Sequence, residues 1–271
     1  MGSAACAACS TLLGEIPEGT RLEKGNAYDG GLPGDGAPQD DGGIGDPGDG
    51  AVRPNSYCAT LASTKTVTFC RDFDDGRIFS ADFNIAAASG ATILAATNEA
   101  LSPPRALVVD IPASVQDPHA LMYRYFDGIK PKDITLAFDM RIELAGSNAQ
   151  EARVFEIISQ FDTPNEHALL FHFNAGSAHI EEVFGLEPNA QWFDYPFLGG
   201  RHMETGKWSR VEVRIADNRL TAQLDGIKVV DQPLHKAWAP EPVELALGLP
   251  DVKYPGFAWR ARYDNVVLDL R

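Results

Sequence analysis

Two glutamates in the segment Glu151-Ala-Arg-Val-Phe-Glu156 come nearest, by type and spacing, to a catalytic pair. A carboxylic acid and a carboxylate that flank a glycosidic bond can act as general acid and nucleophile, and in retaining enzymes they lie about 5 Å apart. Side chains five positions apart in a regular strand point to opposite faces of the sheet. We therefore predict that Glu151 and Glu156 do not act together, and the sequence assigns no catalytic residue.

Strand alternation groups other polar side chains into a candidate binding surface. Along 168–174, His172 lies on the face opposite Leu169, Phe171 and Phe173. Along 154–160, the same period predicts that one face carries Val154, Glu156, Ile158 and Gln160. The predicted ligand-binding surface therefore combines Glu156, Gln160, His172 and Glu181. The alternative is that His172 is a hydrogen-bonded structural residue.

Aromatic residues are concentrated in the segment 191–200, which we predict to be a loop with Asp194 among them. Sugar rings present CH groups that pack against aromatic faces, and a few polar groups then fix their orientation. Trp192 and Tyr195 are therefore candidate ligand contacts. The alternative is that these aromatics close the open end of a hydrophobic core.

The four cysteines form two pairs with different interpretations. Cys58 and Cys70 flank a short strand-like run at 66–69, and we predict that they form a disulfide, which is typical of oxidising compartments and contributes about 3 kcal/mol. Two buried free thiols are the alternative. Cys6 and Cys9 have CxxC spacing, but a redox site would need a βαβ context and a zinc site two further ligands.

Charge and hydropathy exclude several kinds of partner. The 271 residues carry a net charge of −15, with a pI near 4.7. Nucleic acids and anionic membrane surfaces require a basic face, so neither is a predicted partner. No run of about 18 apolar residues occurs, so we predict no membrane-spanning helix.

Composition divides the chain into two parts. The segment 27–52 contains nine glycines, six aspartates and three prolines, which cannot bury enough apolar surface to offset chain entropy. We predict a disordered tether over residues 1–56 and one folded domain over 57–271. In the second part, short runs rich in β-branched and aromatic residues alternate with turn residues. This sequence pattern predicts an all-β fold with two antiparallel sheets.

The second half of the chain resembles a laminin-G/concanavalin A-like jelly roll. The resemblance is carried by Trp208-Ser-Arg-Val-Glu-Val-Arg-Ile, by the hairpin at Asp225-Gly226 and by Tyr263-Asp-Asn-Val-Val-Leu. It implies a jelly-roll sandwich whose last strand pairs near the first. It also implies a structural calcium ion that joins those strands, with Asp72, Asp74 and Asp264 as its ligands. The alternative is that these are ordinary surface aspartates at strand ends.

The same resemblance implies polysaccharide chemistry, from which this sequence departs. Jelly rolls of this kind hydrolyse β-glucans through a Glu-x-Asp-x-x-Glu strand, and Arg153 stands here where the aspartate is required. Polysaccharide lyases on this fold use a His or Tyr base together with a group that neutralises a uronate. Their Arg- and Tyr-containing motifs are not visible, and acidic residues would repel an anionic polymer.

The N-terminus resembles the end of a bacterial lipobox. Small residues precede both Cys6 and Cys9, and a Gly/Asp/Pro-rich tether follows. The resemblance implies an exported lipoprotein with a lipid anchor on one of these cysteines, so that membrane contact is through the anchor alone. The alternative is an unstructured end whose cysteines have no role. We therefore predict an extracellular or envelope-tethered, non-catalytic binding module with carbohydrate as its candidate ligand. A polysaccharide-degrading enzyme and a structural or protein-binding surface module are the alternatives.

Overall fold

A computed structural model describes residues 56–74, 79–97, 99–145, 151–161, 163–174, 177–253 and 256–271. The predicted tether up to residue 55, with Cys6 and Cys9, lies outside the described residues. The described part contains one short α-helix, α1, two three-residue 3₁₀ helices and fifteen strands, which confirms the all-β prediction. The elements are α1 (Tyr57–Ala62), β1 (Phe69–Arg71), β2 (Asn84–Ala87), β3 (Thr92–Ala96), β4 (Ala106–Ile111), β5 (Ala120–Phe126), β6 (Ile134–Ala145), β7 (Glu151–Ser159), β8 (His167–Asn174), β9 (Ser177–Phe184), β10 (Gln191–Pro196), β11 (Ser209–Ala216), β12 (Arg219–Leu224), β13 (Ile227–Pro233), β14 (Val243–Val252) and β15 (Trp259–Leu270).

The strands form two antiparallel sheets. The eight-stranded sheet has the order β13-β12-β11-β6-β15-β4-β3, and β1 pairs with the far end of β15. The seven-stranded sheet has the order β10-β9-β8-β7-β14-β5-β2. The last strand therefore pairs with the first, as the resemblance implied.

Tight turns set the register of the hairpins β11–β12 and β12–β13. Asp217 and Asn218 have φ angles of 52° and 56°, and Asp225 and Gly226 have φ angles of 52° and 75°. Positive φ at both central residues is the type I′ geometry that matches strand twist, and Asn, Asp and Gly tolerate it best. These turns keep Val211, with the other apolar residues of β11, on the core side of the sheet.

The core lies between the two sheets and is rich in phenylalanine. The Phe138 and Phe155 ring centroids, from opposite sheets, are 5.5 Å apart, and the Phe155 and Phe171 centroids are 5.4 Å apart. Tyr263 of β15 crosses this layer and donates its hydroxyl to the backbone oxygens of Val154 (2.9 Å) and Gly248 (2.6 Å). Packing and a shared buried donor thus hold the sheets face to face.

Tyr57 of helix α1 and Ser102 of the β3–β4 connection contact the eight-stranded sheet. The Cys58–Cys70 disulfide joins α1 to β1, which confirms that prediction. Arg210 donates to the Tyr57 hydroxyl (3.2 Å), and the Ser102 amide donates to Asp264 (2.8 Å). The outward face of the other sheet carries the polar residues described next.

Candidate functional site

Strand β7 contains a β-bulge that changes which side chains point outward. Arg153 pairs with His172 and Phe155 pairs with Phe171, so Val154 is an extra residue on β7. Val154 and Phe155 both enter the core. The prediction that Val154 shares a face with Glu156 is therefore wrong, because a bulge shifts the alternation by one residue.

The bulge also changes the relative orientation of Glu151 and Glu156. Before it, Glu151 and Arg153 point outward in the usual period of two. After it, Glu156 pairs with Leu170, two residues from His172, so it also points outward. Glu151 and Glu156 therefore share one face, and the prediction that they point to opposite sides is wrong.

The outward surface of the seven-stranded sheet, called the polar face below, is organised in three rows of directly paired residues. The first row is charged and contains Asp251, Arg153, His172, His179 and Pro196. The second row contains Tyr123, Ala246, Glu156, Leu170, Glu181 and Asp194. The third row has an apolar centre and contains Tyr125, Glu244, Ile158, Ala168, Val183 and Trp192.

Each outward glutamate of β7 is engaged in an ion pair. Arg153 Nη1 donates to Glu156 Oε1 at 2.5 Å. Lys253 Nζ donates to Glu151 Oε1 at 2.5 Å, and His172 Nδ1 lies 2.8 Å from the same oxygen. Burial acts to raise the pKa of Glu151, but His172 and Lys253 lower it to about 2. Both carboxylate positions of the glucanase pattern are thus engaged by basic side chains.

His172 is held between two carboxylates. It is 2% exposed, and its Nδ1 and Nε2 lie 2.8 Å from Glu151 and Glu181 respectively. Burial acts to lower the pKa of His172, but the two glutamates raise it above its ordinary value. The imidazole is therefore stabilised in its charged form, which cannot accept a further proton, and this arrangement opposes a role as a lyase base.

Glu244 has the opposite electrostatics on the same face. It pairs with Ile158, which packs with Ala168, Leu170 and Val183 in a small apolar cluster. Burial, followed by the charges of Glu156 and Glu166, raises the pKa of Glu244 to about 7. No sequence pattern indicated Glu244 as a site residue, because only the pairing of β14 with β7 places it beside an apolar surface.

The structure brings together part of the predicted binding set. Glu156, His172 and Glu181 lie on the polar face, with Trp192 at its edge, where it is 43% exposed and donates to Glu187 (3.1 Å). Trp192 belongs to strand β10, so the prediction of a loop from residue 191 is wrong. Gln160 follows the end of β7 with a φ of 54°, and its backbone oxygen accepts from Thr163.

Tyr195 lies on the core side of β10, away from this set. It is 3% exposed and donates its hydroxyl to Glu182 Oε2 at 2.5 Å. Glu182 also lies 2.9 Å from His167 Nε2 and accepts from the backbone amides of His235 and Lys236. Burial acts to raise the pKa of Glu182, but these contacts lower it to about 2. The network fixes the β13–β14 connection to the sheet.

The predicted calcium ligands lie on the other side of the sandwich. Asp72 Oδ2 accepts from the Cys58 amide (2.8 Å), and Asp74 Oδ1 accepts from the Arg105 amide (3.0 Å). Burial raises the pKa of Asp264 to about 7, and the charge of Asp74 adds to the effect. A calcium ion would relieve that repulsion. The calcium site stays a prediction, which thermal denaturation with Ca²⁺ and with EDTA would test.

Sequence reasoning missed most of the groups that surround the predicted residues. Arg153 was visible only as a departure from the glucanase pattern, and nothing in the spacing linked it to Glu156. The other missed members of the polar face reach it through strand pairing alone, and they are Tyr123, Tyr125, His179, Glu244 and Lys253.

Comparison with known proteins identifies the fold. The structure is similar to that of the cellulose induced protein Cip1, with a TM-score of 0.57 and 16% identity over 74% of this chain and 96% of that one. The laminarinase catalytic domain from Thermotoga maritima gives a TM-score of 0.51, with 12% identity over 76% of this chain and 98% of that one. The fold is a jelly-roll sandwich. The prediction of a two-sheet jelly-roll sandwich is confirmed.

Sequence comparison adds little about function. No protein-family model matches the chain. A 96-residue stretch is 31% identical to glucose-6-phosphate isomerase 1 of Streptomyces coelicolor and covers 34% of this chain. The match spans 18% of the isomerase's length. No described helix is long and apolar enough to cross a membrane.

Proposed function

We propose that the polar face binds a neutral polysaccharide without cleaving it. The observation that carries the proposal is the placement of aromatic side chains on both sides of a row of hydrogen-bonding groups. Trp192 lies on β10, while Tyr123 and Tyr125 lie on β5. Five interstrand steps separate these strands, so the aromatics are about 24 Å apart across the sheet. A sugar chain that crosses the strands would pack on aromatic faces at both ends.

Ion pairing supports binding over cleavage. A glycosidase needs one carboxylic acid that carries a proton and one carboxylate that is free to attack. Arg153 donates to Glu156 Oε1, and Lys253 and His172 both contact Glu151 Oε1, so neither carboxylate is free of a basic partner. Arg153 and Lys253 are partly exposed and still offer hydrogen-bond donors to sugar hydroxyls, as a binding surface requires.

A polysaccharide-degrading enzyme is the second candidate, and one observation favours it. The bulge places Glu151 and Glu156 on the same face, as a glucanase strand requires. The names of two structural neighbours refer to cellulose and to a laminarinase, which are equally compatible with binding and with cleavage. The assay for binding must therefore include a measure of product release.

An exported location accompanies the proposal. The Cys58–Cys70 disulfide supports an oxidising compartment. We also propose that the chain is tethered to the envelope by a lipid on Cys6 or Cys9. Mass spectrometry of the native protein is expected to find a diacylglyceryl adduct on one of these cysteines, and an unmodified N-terminal peptide would refute the anchor.

The test is a glycan array that includes soluble β-glucans, followed by calorimetry on each hit and a reducing-end assay on the same samples. We expect a neutral glucan to bind with no release of reducing ends. Trp192→Ala should weaken binding at least tenfold, whereas Ile227→Ala, which removes an equally exposed side chain from the other sheet, should leave it unchanged. Release of reducing ends would support the enzyme. The absence of binding to every glycan would favour a structural or protein-binding module.

A further inference from the structure

Three potential metal ligands converge at the β9–β10 edge of the polar face. His179, Glu181 and Asp194 each place one nitrogen or carboxylate oxygen so that these atoms all lie within 4.8 Å of one another. Glu181 and Asp194 are directly paired across the two strands, and His179 is two residues from Glu181 on the same side. Strand pairing, rather than a flexible loop, therefore determines their spacing.

The separation between His179 and Glu181 suits a shared cation better than a hydrogen bond. His179 Nε2 lies 3.8 Å from Glu181 Oε1. Hydrogen bonds between nitrogen and oxygen measure about 2.7–3.2 Å. Two ligand atoms that are each about 2.05 Å from a tetrahedral Zn²⁺ ion are about 3.4 Å apart. A small side-chain rotation would bring both atoms onto one ion.

His172 provides a second, independent observation. It is 2% exposed, and neither ring nitrogen makes an aligned hydrogen bond, although Nε2 lies 2.8 Å from Glu181 Oε2. Its ring is parallel to that of His179, with centroids 4.9 Å apart and an interplanar angle of 7°. The buried ring of His172 thus lies against one oxygen of Glu181, while the other oxygen is the one nearer to His179. Partners of this kind position metal-binding carboxylates.

We propose that His179, Glu181 and Asp194 bind a divalent transition-metal ion, with Zn²⁺ the best match. One imidazole and two carboxylates are ligands that Zn²⁺ accepts, and three protein ligands leave a fourth position for water or a sugar hydroxyl. Ca²⁺ requires six to eight oxygen ligands, which this group does not supply. Asp194 is exposed, and His179 and Glu181 are partly exposed, so the ion can enter from solvent.

The proposal is tested by zinc titration of the full chain after removal of metal with EDTA. Because Cys6 and Cys9 can themselves bind Zn²⁺, the parent protein carries Cys6→Ser and Cys9→Ser. We expect one equivalent of Zn²⁺ to bind in calorimetry. His179→Ala and Asp194→Asn should each weaken binding at least tenfold. His119→Ala, which removes a histidine from the β4–β5 connection, should leave it unchanged.

A spectroscopic measurement separates ligand loss from misfolding. Co²⁺ in place of Zn²⁺ should give the visible absorption of a four-coordinate site, and His179→Ala should abolish it while the metal-free thermal midpoint stays unchanged. No binding at millimolar Zn²⁺ would overturn the proposal, as would binding that none of the ligand variants affects. These measurements contain no polysaccharide, so the metal site can fail or succeed independently of the proposed glycan binding.

Discussion

At the scale of single residues, Arg153 determines how the polar face can be used. It stands between two outward glutamates, donates to Glu156 and lies 3.7 Å from Asp251. An aspartate in this position would add negative charge between the glutamates and favour a protonated carboxyl, whereas a guanidinium favours ionised ones. The difference of a single side chain thus separates an electrostatic environment suited to hydrolysis from one suited to hydrogen bonding.

The sequence predicted some members of the site and not their relationships. Period-two alternation placed His172 opposite Phe171, because β8 is regular. It did not reveal that Glu151 and Glu181 flank His172, since these contacts depend on the pairing of β7, β8 and β9. For Tyr195 the aromatic cluster suggested a ligand contact, but the structure places its hydroxyl on the buried Glu182.

Glu244 is predicted to make the protein less stable as the pH rises. Its pKa is raised to about 7 in the folded chain from 4.5, so between these values the folded state holds a proton that the unfolded state has lost. Stability contributed by this group is therefore complete below about pH 4.5 and lost by about pH 7. We expect Glu244→Gln to raise the free energy of unfolding by roughly 1–3 kcal/mol at about pH 7.5 and by much less at about pH 5.

Urea denaturation at the two pH values measures this effect. Glu212→Gln on the eight-stranded sheet controls for the change in net charge. An equal gain in stability at both pH values would show that side-chain packing, rather than titration of Glu244, causes the effect.

At the scale of elements, the pattern of β-branched and aromatic residues predicted most strands but failed for four: β2, β3 and β5 were not predicted, and β10 was predicted to be a loop. β11 and β15 are rich in β-branched and aromatic residues, and both were predicted. β2 and β3 contain several alanines, and β5 has Tyr123, Arg124 and Tyr125 in succession, which obscures alternation. The bulge in β7 was not predicted because no glycine marks it. It is imposed by tertiary packing, in which Val154 also provides an acceptor for Tyr263.

The disulfide is predicted to stabilise the attachment of α1 to the sandwich. It closes a short loop with a sequence separation of 12, and such a constraint contributes about 3 kcal/mol. We expect a Cys58→Ser/Cys70→Ser variant to lose about 2–4 kcal/mol of unfolding free energy. It should also become sensitive to proteolysis within 57–68, because the contact between Tyr57 and Arg210 would no longer be constrained.

Urea denaturation and limited proteolysis under non-reducing conditions check both effects. Cys6→Ser/Cys9→Ser is the matched control and should behave like the parent protein. A bridge-deleted variant as stable as its parent would contradict a stabilising role.

At the scale of the whole molecule, the two outer surfaces of the sandwich differ in what they present. On the eight-stranded sheet, Tyr57 of α1 accepts a hydrogen bond from Arg210 of β11, and Ser102 bonds to Asp264 of β15. The seven-stranded sheet presents three rows of polar and aromatic side chains over a core built from its other face. The sequence predicted the two-layer architecture, because alternation reports which residues are buried. It could not indicate which outer surface the described connections would pack against, since that depends on the tertiary structure.

The net charge of −15 predicts discrimination among polysaccharides by charge. Like charges repel over a Debye length of about 30 Å at 0.01 M salt, but only about 3 Å at 1 M. We therefore expect a neutral glucan to bind with nearly the same affinity at both salt concentrations, because hydrogen bonds and aromatic packing carry it. An acidic polymer such as a polyuronate should show no binding at low salt. Calorimetry measures the affinity for each polymer at both salt concentrations. EDTA is present throughout, because it prevents bridging by divalent ions. Tighter binding of the polyuronate at low salt than at high salt would contradict the prediction, and would indicate that Arg153 and Lys253 recognise a carboxylate in place of a neutral sugar.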